Sequence, residues 1–144
     1  MLSTDYPLVY IAGPLFTEGE RWYLERVSSV CEELGCATYL PHRDAGLCPP
    51  SGEEGAGFFN KDLEMLGVVD VVIAVLNGKD VDSGTAWEIG YGYALGKIII
   101  GIVDDTRVNE PEANINLMVF NSLRLCRSFE ELKHAEAPII KSRG

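Results

Sequence analysis

Apolar residues along this chain fall into short solid runs separated by helix-spaced stripes. Leu8 to Ala12 (LVYIA) is a solid run stopped by Gly13-Pro14, which predicts a buried strand. From Glu18 to Leu34 the positions Trp22, Val27, Val30, Cys31 and Leu34 recur at helical spacing, and Gly35 offers a stop. Cys36 to Leu40 reads as a second strand ended by Pro41, and residues 41–57, rich in Gly, Pro and charge, read as a surface loop. Phe58 to Leu66 predicts a helix with Phe58, Phe59, Leu63 and Leu66 on one side. Asp70 to Leu76 (DVVIAVL) is the clearest strand, as apolar as a strand covered on both faces should be. A polar loop over 77–84 precedes a helix from about Thr85 to Leu95 and a further strand over Lys97 to Val103. After the polar stretch 104–114 come a short helix (Ile115 to Phe120), a short strand (Leu123 to Cys126) and a helical turn or two (Phe129 to His134).

Strands alternating with helices predict an α/β fold with a parallel sheet and right-handed crossovers. Five strands in this arrangement suggest a flavodoxin-like, doubly wound sheet of order 2-1-3-4-5, with helices on both faces. No repeat or linker breaks the pattern, so residues 1–144 read as one domain. In that order ligands bind outside the carboxyl ends of strands one and three. The loops Gly13 to Glu20 and Asn77 to Gly84 then face the binding crevice.

Composition narrows the partners. The chain has 22 acidic and 12 basic residues and a formal charge of −10, which disfavours a nucleic-acid polymer or an anionic membrane. No apolar run approaches a membrane span, and the amino terminus (MLSTDYP) lacks a signal-peptide pattern, so a cytoplasmic protein is expected. The cysteines Cys31, Cys36, Cys48 and Cys126 form no C-x-x-C pair, and His42 and His134 lie far apart. Reduced, mostly buried thiols are expected, and no metal site.

The chemistry concentrates after the third strand, in Asp82-Ser-Gly84-Thr85-Ala-Trp87-Glu88-Ile-Gly90-Tyr-Gly92. With Asp82 ending the loop and Glu88 in the first helical turn, both carboxylates can face the crevice. Gly84 allows close approach of a ligand. Asp62 adds a third acid on the preceding helix. Carboxylates gathered around a cleft suit displacement at an anomeric carbon, one as nucleophile and one as proton donor, with crowding separating their proton affinities. A plainer reading competes: Thr85-x-x-Glu88 matches a capping box, and Asp82 or Ser83 suits a helix start. Gly90, Gly92 and Gly96 lie past the helix start and read as close packing on the sheet, not as a dinucleotide fingerprint. Gly78-Lys79 lacks the rest of a phosphate loop.

Four segments in order, Val9-Tyr10-Ile-Ala-Gly13-Pro14-Leu-Phe16, Asp62-Leu-Glu-Met-Leu66, Asp82 to Gly90, and Asn116-Leu-Met118, resemble the nucleoside 2-deoxyribosyltransferase family from about Leu8 to Leu132. The resemblance implies transfer of 2-deoxyribose between nucleobases of 2′-deoxynucleosides, through a covalent glycosyl-glutamate intermediate, with retention and no cofactor. It implies that Glu88 is the nucleophile, that Tyr10 holds it, and that Asp62 protonates the leaving base. It places Asp82 and Gly84 at the substrate, and Gly13, Pro14 and Phe16 around the base. Asn116 and Met118 match residues lent by a neighbouring subunit, so a homo-oligomer with shared sites is implied. For Met118, core packing is the competing reading.

Two departures stand out: loop 42–57 has no counterpart in the pattern, and the tail PIIKSRG offers no aromatic terminus. The nearest alternative is a 2′-deoxynucleoside 5′-monophosphate N-glycosidase. Those enzymes resemble this chain but carry a Gly/Ser/Arg-rich first loop and a serine where Asp82 stands. Asp82 would repel a phosphate, and Arg21 is the one residue favouring that reading. A non-catalytic module is the other alternative. An FMN carrier would need a Ser/Thr-rich first loop, and a phospho-receiver an aspartate where Leu76-Asn77 stands. A catalytically inert nucleoside sensor would bind deoxynucleosides without releasing the base.

Overall fold

The strands are β1 (Leu8–Ala12), β2 (Ala37–Tyr39), β3 (Val71–Val75), β4 (Ile98–Ile102) and β5 (Arg124–Cys126). The helices are α1 (Glu18–Glu33), α2 (Gly55–Val68), α3 (Ser83–Ala94), α4 (Pro111–Asn114), α5 (Leu117–Phe120) and α6 (Phe129–Arg143), with a π-helical turn at Pro41–Ala45. The computed structural model describes residues 6–47 and 55–143. All strand pairs are parallel, in the order β2-β1-β3-β4-β5. This is the expected flavodoxin-like α/β sheet, with its switch point between β1 and β3.

The solid apolar runs are explained by cover on both faces. Val9 and Ile11 of β1 and Ile73 and Val75 of β3 point to one side. They pack there with Leu24, Val27, Val30 and Cys31 of α1 and Leu132 and Ala135 of α6. The alternate residues Leu8, Tyr10, Ala12, Val72 and Ala74 face the other side, with Leu66 of α2 and Ile89 of α3. Gly92 brings α3 close to the sheet: an added Cβ would lie 3.1 Å from Val72 Cγ2 and 3.2 Å from Ile99 Cδ1. Gly90 has open space instead, and Gly96 takes a positive φ of 76° just beyond α3.

Several expectations need correction. Trp22 is 63% exposed and Leu24 takes the inward position, because 24, 27 and 31 share one stripe at three- and four-residue spacing and Trp22 lies off it. Phe59 is 50% exposed and not part of the core. The stretch 41–57 is not all loop: it holds the π-helical turn and the start of α2, while 48–54 lie outside the described residues. The polar stretch 104–114 ends in helix α4, and α6 runs to Arg143 with Pro138 inside it. Cys31, Cys36 and Cys126 are buried free thiols; Cys48 lies outside the described residues.

Candidate active site

Helix α3 begins at the switch point, and its cap decides where its acids go. Asp82 is the N-cap: its Oδ2 accepts from the Thr85 N–H at 3.0 Å and from the Thr85 hydroxyl at 3.1 Å. The cap therefore lies three residues before Thr85, and the competing capping box does not form. Glu88 falls in the second turn, not the first, and its carboxylate turns inward. Its Oε2 accepts a hydrogen bond from the hydroxyl of Tyr10.

Tyr10 is fully buried in β1, behind Glu88. Burial and the neighbouring Glu88 carboxylate push its phenol well above the usual range, so it stays a donor. Burial raises Glu88 to a pKa of about 7, opposed by the Tyr10 bond and supported by the charges on Asp62 and Asp82. Near neutral pH Glu88 is thus balanced between its neutral and ionised forms. Asp62 sits on α2 and accepts from the Tyr39 hydroxyl at 2.8 Å. Burial raises its pKa, while the Tyr39 bond and the nearby Lys61 charge pull it down.

The carboxylates border a pocket of about 530 Å³, in the range of small-molecule sites. Asp62, Asp82 and Glu88 supply its acids. Gly13, Leu15 and Phe16 come from the first loop, and Ser83 and Gly84 from the start of α3. Pro41, Phe59, Leu63, Leu66 and Trp87 add apolar walls. An added Cβ at Gly13 would lie 2.6 Å from Leu24 Cδ2 and 3.1 Å from Val75 Cβ, so a side chain there would displace the core beneath the loop. The first turn of α1 pins that loop: Glu20 Oε1 accepts from the N–H groups of Phe16 and Thr17, at 3.2 and 2.9 Å. Arg21 Nη1 donates to the Leu15 carbonyl at 2.9 Å.

Sequence reasoning placed Glu88, Asp62, Asp82, Gly13, Phe16 and Gly84 together, and the structure gathers all six on one pocket. Tyr10 touches it only through Glu88. Pro14 borders a separate depression with Tyr23 and Asn77, so it does not wall this pocket. Asn116 and Met118 also lie elsewhere, on a surface with Tyr93 and Leu117. Asn116 caps α5, accepting from the Met118 N–H at 2.8 Å. Met118 is 73% exposed, which removes core packing as its explanation. Sequence reasoning missed Trp87, Phe59 and Tyr39. Trp87 lies beside Glu88 and stacks on Tyr91 at 5.3 Å, with Phe59 edge-on at 5.6 Å. The aromatic-acid pair Trp87-Glu88 was the available signal.

The model of the family described as nucleoside 2-deoxyribosyltransferase matches residues 9–118. The chain belongs to that family. The matched span contains every residue bordering the pocket. Among solved structures, this deoxyribosyltransferase-family chain is similar to a 2-deoxyribosyltransferase from Bacillus psychrosaccharolyticus, at 25% identity and a TM-score of 0.77 over 92% of this chain and 95% of that one. A 2-deoxyribosyltransferase from Leishmania mexicana is 24% identical with a TM-score of 0.69, over 92% of this chain and 97% of that one. A CMP N-glycosidase from Clostridium botulinum is more distant, at 18% identity and a TM-score of 0.52 over 89% of this chain and 96% of that one. The last two likenesses speak to the fold. No curated protein sequence matches the chain significantly.

Proposed function

We propose that this protein transfers 2-deoxyribose between nucleobases of 2′-deoxynucleosides, with Glu88 as the nucleophile. One observation carries the reading. A desolvated carboxylate, held by the Tyr10 hydroxyl, borders a pocket it shares with two further acids and apolar walls. Glu88 attacks C1′ and forms a C1′–O bond as the C1′–N bond breaks. The electron pair stays on the base nitrogen, which takes a proton from Asp62. A second base then attacks C1′, displaces Glu88 and returns its N–H proton to the Asp62 carboxylate. Two inversions give net retention. The Tyr10 bond fixes Glu88 for attack, and Asp82, its Oδ2 tied to Thr85, has Oδ1 left to bind sugar or base. Trp87, Phe59 and Phe16 supply aromatic walls against which the base packs. No cofactor takes part in this scheme.

Charge favours a nucleoside over a nucleotide. Among the described residues no lysine or arginine borders the pocket, and three carboxylates do. A 5′-phosphate would meet like charge and lose hydration together. Arg21, the residue favouring the phosphate reading, already donates to the Leu15 carbonyl. The exposed Asn116–Met118 segment, remote from its own pocket, fits a role at a neighbouring subunit's site.

The test is exchange. The protein is incubated with deoxyinosine, with and without adenine, and in parallel with dIMP. Deoxyadenosine formed only when adenine is present supports the transferase. Hypoxanthine released chiefly from dIMP, without exchange, replaces this reading with the nucleotide N-glycosidase.

A further inference from the structure

Tyr39 ends β2 and pairs in register with Tyr10 of β1. Their side chains leave the same face of the sheet, and their rings pack 5.3 Å apart between centroids. Each phenol then serves one carboxylate: Tyr10 donates to Glu88, and Tyr39 donates to Asp62 Oδ1 at 2.8 Å. Tyr39 is 4% exposed and does not border the pocket. Its hydroxyl reaches the site only through Asp62.

We propose that Tyr39 is a positioning residue that aims Asp62 at the departing base and strengthens it as an acid. The proposal rests on the reading of Asp62 as proton donor. When the C1′–N bond breaks, its electron pair goes to the base nitrogen. Asp62 gives that nitrogen a proton and is left as a carboxylate. A hydrogen bond from a phenol is stronger to a carboxylate than to a neutral carboxyl. The Tyr39 bond therefore tightens as the proton leaves, and its effect falls on the transition state. Because Oδ1 is occupied by Tyr39, the proton is carried on Oδ2. The packed tyrosine rings tie both carboxylates to adjacent strands, which limits drift between nucleophile and acid.

The experiment compares Tyr39→Phe and Asp62→Asn on two substrates, 2′-deoxyguanosine and 7-methyl-2′-deoxyguanosine. The methylated base already carries a positive charge and leaves without a proton donor. Tyr39→Phe is expected to lower the single-turnover rate of base release from deoxyguanosine by about tenfold, and from the methylated substrate by less than about twofold. Asp62→Asn is expected to show the same selectivity with a larger loss. Base release from the methylated substrate also reports that each variant is folded. Equal slowing on both substrates by Tyr39→Phe, or no slowing on either, overturns the role of Tyr39 while a selective Asp62→Asn preserves that of Asp62. Equal slowing by Asp62→Asn removes the reading of Asp62 itself.

Discussion

The desolvated Glu88 carboxylate lowers stability once ionised, and Glu88→Gln should reveal by how much. Its pKa rises from 4.5 to about 7 on folding. The folded protein thus binds the Glu88 proton more tightly than the unfolded chain. Stability from this group is complete below about pH 4.5 and is lost as pH rises through about 7. At about 1.4 kcal/mol per pKa unit, the loss above pH 8 is about 3 kcal/mol, reduced to about 2 by water at the pocket mouth. Glutamine has nearly the same shape, accepts the Tyr10 hydrogen bond and carries no charge. Glu88→Gln should therefore unfold at higher temperature than the parent at pH 8.5, by roughly 4–8 °C for a domain of this size. Near pH 4.5 the two melting curves should converge. The assay is thermal unfolding followed by circular dichroism across that pH range. An equal melting temperature at pH 8.5, or a gap independent of pH, refutes the argument that Glu88 is held ionised against its surroundings.

Further outcomes follow from the same geometry. Exchange activity should rise with pH through about 7 as Glu88 ionises, and Asp82→Asn should move that rise to lower pH by removing one nearby negative charge. A rise that stays in place in Asp82→Asn contradicts the coupling, whatever happens to the rate. Trp87→Ala should weaken substrate binding by roughly tenfold, since stacking on an aromatic ring contributes about 1–3 kcal/mol per base. The KM of the variant reads this directly, and an unchanged KM places the base elsewhere. Mixing Glu88→Ala with Met118→Asp, each inactive alone, should restore exchange if one subunit completes its neighbour's site. Failure to complement, with both proteins folded, argues that each site is self-contained.

Much of the fold was legible because two-sided burial leaves a plain trace. DVVIAVL and LVYIA admit few polar positions, and both became central strands with the predicted order. The pocket acids were legible because the order of β1 and β3 brings their loops to one crevice. Thr85-x-x-Glu88 was ambiguous, since a capping box and an inward-facing carboxylate have the same spacing. The helix cap at Asp82 and the position of Tyr10 beneath α3 together separate them. Phe59 and Trp22 were misjudged because an aromatic facing a pocket or solvent repeats the spacing of one in a core. The length of α6 was hidden by Pro138 and its polar flank. Tyr39 could not be linked to Asp62 from sequence, because the two meet only once β2 lies beside β1.

The most direct test of the central proposal is to quench the protein with deoxyinosine, in the absence of an acceptor base, and sequence the labelled peptide by mass spectrometry. The account predicts one 2-deoxyribosyl group on Glu88, and its loss as deoxyadenosine forms when adenine is added before the quench. A label on another residue contradicts the proposed nucleophile. Turnover with no label at any quench time would instead favour direct displacement without a covalent intermediate.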